Sequence, residues 1–133
     1  MQLYHYFRSS ASYRVRIALN LKGIPCDLTQ VHLLKQGGEQ LQDAFRAINP
    51  DGLVPALNHD GQIITQSLAI VEYLDEIHPA PALLPGSPAD RAYIRALALQ
   101  IACDIHPLNN LRVQRYLSTE LKVSDDDKSG WIK

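Results

Sequence analysis

The sequence predicts an α/β module followed by a region built of helices only. Three observations predict it. Residues 3–33 alternate between strand-like and helix-like runs. Two short apolar runs are then split by His59-Asp60-Gly61, a hairpin signal. Beyond the proline-rich stretch Pro79–Pro88, only helical periodicity occurs.

Leu3–Phe7 is aromatic-rich and reads as a strand. Arg8–Ser12 breaks it, and Ser9 or Ser10 suits the N-cap of a helix over Tyr13–Lys22. Val15, Ala18 and Leu19 give that helix an apolar face, Gly23 stops it and Pro25 prevents continuation. Residues 26–33 read as a second strand, so a parallel pair with a crossover helix is expected. Gly37-Gly38 and Asn49-Pro50-Asp51-Gly52 are turn signals, and Glu39–Ile48 between them is compatible with a short helix. Leu53–Leu57 and Gln62–Thr65 then read as an antiparallel pair. Ser67 starts a helix to about Ile77, with Ile70, Leu74 and Ile77 on one face and Pro79 after its end.

Ser87, Pro88 and Asp90 form a capping-box-like start for a helix through Ala92–Ile105. Pro107 should kink or break it, with helix resuming over Leu108–Leu117. Ser124–Lys128 reads as a polar, acidic tail with Trp131-Ile132 isolated behind it. The expected organisation is a domain over 1–79, a linker over 80–87 and helices over 88–133. A region of about 45 residues is near the size at which a domain needs outside support, so a truncated helical domain is expected.

The 133 residues are 46% hydrophobic and 20% charged, an ordinary globular balance. A net charge of -1 argues against nucleic acid or an acidic membrane surface as partner. Arg8, Arg14 and Arg16 nevertheless cluster, which suits a small anion. Cys26 and Cys103 are far apart with no CxxC, so neither a disulfide framework nor a thioredoxin-type redox centre is expected. No apolar run has the length of a membrane span and Met1 leads straight into the first strand, so a cytoplasmic protein is expected. No HxxxH, CxxC, P-loop or GxGxxG spacing occurs, and no metal is expected.

Four places carry candidate chemistry. Ser9-Ser10-Ala11-Ser12 lies between a strand end and a helix start, where N–H groups and the helix dipole favour an anion such as a thiolate. From spacing alone, simple capping is the favoured reading of these serines. Val54-Pro55 lies in a strand-like run, at an edge, a bulge or a cis bond. Only about 5–6% of X-Pro bonds are cis, which favours an edge-strand trans proline. Gln66-Ser67 opens the next helix and could hold a carboxylate or merely cap. His106 and Arg112 flank the bend at Pro107 and could face an anionic substrate, or belong to an exposed helix face.

Order and context narrow these options. Ser9–Leu19 (SSASYRVRIAL) is similar to the zeta-class glutathione transferase signature SSCxWRVRIAL. Asn49-Pro50 with Val54-Pro55-Ala56-Leu57 resembles that family's NP…VPxL. Gln66–Leu74 (QSLAIVEYL) resembles QSLAIIEYL, and Leu83-Leu84-Pro85 and Ile105–Leu111 also fit. The likeness covers about residues 1–117. Ala11 stands where the family has cysteine, and Tyr13 where tryptophan is common.

The resemblance implies a thioredoxin-like N-terminal domain followed by an all-helical domain, here incomplete, with Pro55 in cis. It implies glutathione as cosubstrate and a small dicarboxylate as substrate, in a cytoplasmic homodimer. Ser9 then stabilises the thiolate with Ser10 beside it, along a segment that includes Ala11, Ser12, Tyr13 and Arg14. Val54, before Pro55, pairs with the cysteinyl backbone of glutathione. Gln66 and Ser67 hold the γ-glutamyl end, and Gln40 makes a further contact. His106, Asn110, Leu111 and Arg112 form a wall, with Arg8, His106 and Arg112 facing substrate carboxylates. The implied reaction is isomerisation of maleylacetoacetate to fumarylacetoacetate. Isomerisation of maleylpyruvate, conjugation of small α-halo acids and a non-catalytic binding module are the alternatives.

Overall fold

Residues 1–132 are described by a computed structural model, which divides into a unit over Met1–Pro85 and a second beginning at Gly86. In the first unit, β1 (Gln2–His5) leads into α1 (Ser10–Lys22) and then β2 (Asp27–Gln30). Short 3₁₀ turns at Lys35–Gly37 and Glu39–Leu41 precede the single-turn helix α2 (Asp43–Arg46). Strands β3 (Ala56–His59) and β4 (Gln62–Thr65) follow, and α3 (Ser67–Ile77) completes the unit.

The four strands form one sheet in the order β2-β1-β3-β4. β1 and β2 are parallel, with Leu3 opposite Leu28. β1–β3 and β3–β4 are antiparallel, with Tyr4 opposite Ala56 and Ala56 opposite Thr65. The alternation along β1 sends Leu3 to one face and Tyr4 to the other. On the first face, Leu3 and Leu57 pack with Val15, Ala18 and Leu19 of α1 and Ile70 and Leu74 of α3, all buried. The opposite face buries Val31, Phe45 and Ala56, with Tyr4 edge-on to Phe45 at 6.0 Å between ring centroids. Burial of apolar area on both faces is what makes four short strands stable together.

Several expectations are corrected by packing. The first strand ends at His5, because Ser9 N–H donates to Tyr6 C=O in a turn. Glu39–Ile48 is not one helix: Gln42 is extended (φ −76, ψ 150) and separates the 3₁₀ turn from α2. β3 begins at Ala56 rather than Leu53, and the Val54–Pro55 bond before it is cis. The residue-level preference for trans is only about 1 kcal/mol, and the buried setting of Pro55 decides otherwise.

In the second unit, Ser87 caps α4 (Pro88–Leu99) in a complete capping box with Asp90. The expected helix to Ile105 changes at Gln100 into a π-helical segment, Gln100–Ile105. α5 (Leu111–Thr119) starts three residues later than expected, because Asn110 is extended and caps it. The tail is helical, not merely polar: α6 covers Asp125–Ile132. Asp125, Asp126 and Asp127 sit in its first turn, where negative charge offsets the helix dipole, and Ser124 Oγ accepts from Asp127 N. Trp131 is not isolated, since its indole N–H donates to Leu108 C=O at 3.0 Å.

Candidate active site

Topology alone brings four segments to one end of the sheet. β1 and β2 are parallel, and β1 and β4 are each antiparallel to β3. The C-terminal ends of β1, β2 and β4 and the N-terminal end of β3 therefore share one edge. At that edge lie Ser9 after β1, the loop after β2 that carries Gln40, Val54-Pro55 before β3, and Gln66-Ser67 after β4. Ligands in open α/β sheets bind beyond such carboxyl ends.

Ser9 is the N-cap of α1, at φ −75 and ψ 116. Its Oγ accepts from Ser12 N at 3.2 Å. That bond uses an oxygen lone pair and leaves the hydroxyl proton able to donate outward. Ser9 thus caps and can hold an anion at once, and the two readings of the serine cluster are compatible. Ser12 is wholly buried, and its Oγ lies 3.5 Å from Tyr6 N. Ala11 is half-buried, while Arg8, Ser10 and Tyr13 are exposed. Arg16 folds back, donating to Phe7 C=O at 3.1 Å and lying 5.2 Å above the Tyr13 ring. On β1, His5 is 8% exposed and its Nδ1 has no partner among the described residues. Burial first, and the Arg16 charge second, hold its imidazole below its ordinary pKa.

The second helix N-terminus belongs to α3. Gln66 precedes it at φ 69 and ψ 117, a conformation that disfavours a side chain. Ser67 is 7% exposed, and its Oγ accepts from Arg14 Nη1 at 2.9 Å. This bond ties the N-terminal half of α1 to the first turn of α3. Two positive helix ends therefore face one region with an arginine between them, a setting for a ligand with two separated negative groups. Between them, Val54 N–H and C=O have no hydrogen-bond partner among the described residues.

Gln40 is 6% exposed and its Oε1 has no partner among the described residues. Gly52 (φ 62) lets the 49–53 turn approach it; a Cβ there would stand 3.0 Å from the Gln40 carbonyl. Asn49, buried, shapes that turn by donating to Leu53 C=O at 2.8 Å.

His106, Asn110, Leu111 and Arg112 belong to the second unit. His106 N donates to Ile101 C=O, the i to i−5 bond of the π-helical segment, a feature that often marks functional positions. Asn110 Nδ2 lies 3.5 Å from His106 Nε2, and its Oδ1 caps α5 through Arg112 N. Leu111 is half-buried and Arg112 exposed. Among the described residues, no group of three His, Cys, Asp or Glu could hold a metal, and no helix is long and apolar enough to cross a membrane.

Two features escape sequence reading. Ser67 and Arg14 are 53 positions apart, and no local pattern pairs them. His32 looks like an ordinary strand residue, yet it organises the loop that carries Gln40.

Residues 3–82 match the family model of the glutathione S-transferase N-terminal domain. A probable maleylacetoacetate isomerase of Vibrio cholerae is 51% identical over 131 residues, which are 98% of this chain and 61% of that protein. The holo structure of a bacterial zeta-class maleylpyruvate isomerase superposes with a TM-score of 0.94 at 48% identity, covering 99% of this chain and 61% of the other. A maleylacetoacetate isomerase of Methylobacterium extorquens, solved with malonate and GSH bound, gives a TM-score of 0.92 at 43% identity over 99% of this chain and 61% of that one. The chain thus spans about three-fifths of the length of these relatives.

Proposed function

Because the chain belongs to the glutathione S-transferase family, we propose that it binds glutathione at the shared strand edge and uses the thiolate to isomerise a maleyl-type diacid, maleylacetoacetate to fumarylacetoacetate. The Arg14–Ser67 bond is the observation that carries this reading, because it ties together two helices whose N-termini favour anions, which supports one ligand with two separated negative groups.

The chemistry follows from the residues. Ser9 Oγ–H and the first N–H groups of α1 lower the pKa of the glutathione thiol and hold its thiolate. Gln66 and the start of α3 hold the γ-glutamyl carboxylate, Val54 pairs with the cysteinyl backbone and Gln40 makes a further contact. The thiolate adds to the cis carbon–carbon double bond. A C–S bond forms and the displaced electron pair moves onto the conjugated carbonyl oxygen. The former double bond is now single and rotates. The enolate then re-forms the double bond in trans and expels the thiolate, so glutathione is returned unchanged. Arg8, His106 and Arg112 are assigned to the substrate carboxylates, with Asn110 and Leu111 beside them. The same reading makes the protein a cytoplasmic homodimer of aromatic amino-acid catabolism. Support comes from the relatives named for this activity and from the one solved with both GSH and malonate, a dicarboxylate.

Maleylpyruvate is the second reading, favoured by the 48% identity to a maleylpyruvate isomerase. Both acids should be supplied with and without glutathione and the products separated. Glutathione-dependent formation of the trans acid is expected, and the faster substrate identifies the isomerase. Isomerisation at equal rates without glutathione, or only stable conjugates with it, would overturn the proposal.

Gln66→Gly separates strain from binding. It relieves a positive φ and is expected to raise stability by about 1 kcal/mol. It also removes a ligand contact, so glutathione affinity should fall while the urea midpoint rises at constant slope.

A further inference from the structure

The loop between β2 and α2 is held by an unusual set of bonds. His32 N donates to Glu39 Oε2 at 2.6 Å, and Glu39 N donates to His32 C=O at 2.9 Å. Residues 32 and 39 thereby close a ring of chain. Inside it, His32 Nδ1 lies 3.2 Å from Leu34 N and 3.1 Å from Lys35 N. Backbone N–H groups can only donate, so Nδ1 is the acceptor and the ring proton sits on Nε2. The loop needs this tie, because Gln36, Gly37 and Gly38 run consecutively at positive φ (53, 79 and 114). Gln40 follows at once, buried, with an unpartnered Oε1. The Tyr6 ring packs on the imidazole with centroids 4.9 Å apart, Lys35 offers the ring its backbone N–H, and the Glu39 carboxylate from the following turn is bound at the His32 backbone N.

We propose that His32 is a positioning residue that sets Gln40 for the ligand, and that its protonation state switches the loop. This inference rests on the glutathione reading of the site. A neutral imidazole accepts from Leu34 and Lys35 and closes the loop. An imidazolium carries a proton on Nδ1 that meets two N–H donors head-on, so both bonds are lost and the loop opens. A proton on Nδ1 therefore weakens ligand binding by undoing the tie that places Gln40. Asparagine at this position keeps an acceptor at the place of Nδ1 and does not titrate.

The probe is S-methylglutathione, which has no titrating thiol, measured by calorimetry on the full chain at a series of pH values from neutral to mildly acidic. Wild type should bind roughly tenfold more weakly at the acid end, the scale of one or two ordinary hydrogen bonds. His32→Asn should keep the neutral-pH affinity and lose the pH dependence. His32→Ala should be weak throughout. The protection factor for amide exchange at Leu34 and Lys35, without ligand and relative to the unstructured rate at the same pH, should fall on acidification in wild type and not in His32→Asn. If the probe binds but the Asn variant titrates like wild type, the switch is overturned. If the probe binds at no pH, the glutathione reading falls; amide exchange then judges the loop by itself, and protection factors that stay constant with pH overturn it.

Discussion

Ser9→Ala is expected to reduce glutathione-dependent isomerisation by about 10² or more, the usual loss when one preorganised donor to a developing anion is removed. The hydroxyl has two tasks in the structure. Its oxygen accepts from Ser12 N, and its proton is the donor proposed for the thiolate. Alanine removes both, so a loss of about 1 kcal/mol of stability from the missing cap accompanies the loss of rate. Ser9→Asp separates the two. A carboxylate is as good a cap and restores stability, but it cannot donate and it repels a thiolate. It should therefore be folded and inactive. The thiolate can be followed by its ultraviolet absorbance during a pH titration of the glutathione-bound chain. Wild type should show a depressed thiol pKa, and both variants a value nearer that of free glutathione. Wild-type turnover in Ser9→Asp would remove Ser9 from the chemistry and leave it only a cap.

The second large effect is on stability. Lys22 has a side chain with no exposure, and its ammonium meets Asp75 Oδ1 at 2.6 Å, His78 C=O at 2.6 Å and Pro81 C=O at 2.8 Å. Three donors meet three acceptors. Asp75, 12% exposed, also accepts from Leu83 N and Leu84 N. The network pins the Pro79–Pro85 strap to α1 and α3. Lys22→Met should cost about 3–5 kcal/mol, because it leaves a largely buried carboxylate without its counter-charge. A lower urea midpoint at unchanged slope measures it.

The pH dependence gives an internal check. Burial by itself would raise the Asp75 pKa, but the Lys22 hydrogen bond, the Leu83 and Leu84 N–H groups and the Lys22 charge outweigh it and hold it low. A folded-state pKa below the unfolded one stabilises above the unfolded value, and that stability is lost as pH falls through the folded value. In Lys22→Met the largest downward influence is gone and burial remains. The gap between wild type and variant should therefore be widest near neutrality and narrow in acid, as Asp75 takes up a proton. A gap that is constant with pH would mean that lost packing, not the ion pair, sets the cost.

Much of the fold was legible because its signals are local. Ser9 caps its own helix three residues on, Ser87 and Asp90 close a box across one turn, and Asp60-Gly61 turns a hairpin whose strands adjoin. Each is an interaction between near neighbours, which residue type and spacing suffice to specify. The spacing of Val15, Ala18 and Leu19 and of Ile70 and Leu74 likewise marked the face that became the core, whereas Ile77, expected on the same face, is exposed at the end of its helix. The zeta-type motifs then pointed to glutathione before any distance was known.

What only the tertiary structure decided is who meets whom across long stretches of chain. The Arg14–Ser67 and Lys22–Asp75 pairs each join α1 to α3, and nothing in either helix names its partner. Such pairs exist only once the sheet register sets two helices side by side. The helical tail shows a further limit. Its three acidic residues read as a solvated run until a cap and a dipole give them a place. His32 is the sharpest case: one imidazole in an unremarkable strand-like run acquires a fixed tautomer because the folded loop turns two N–H groups onto it. Residue types set the available chemistry and the local turns. The packing of distant segments determined which groups are paired and which buried polar atoms have no partner among the described residues.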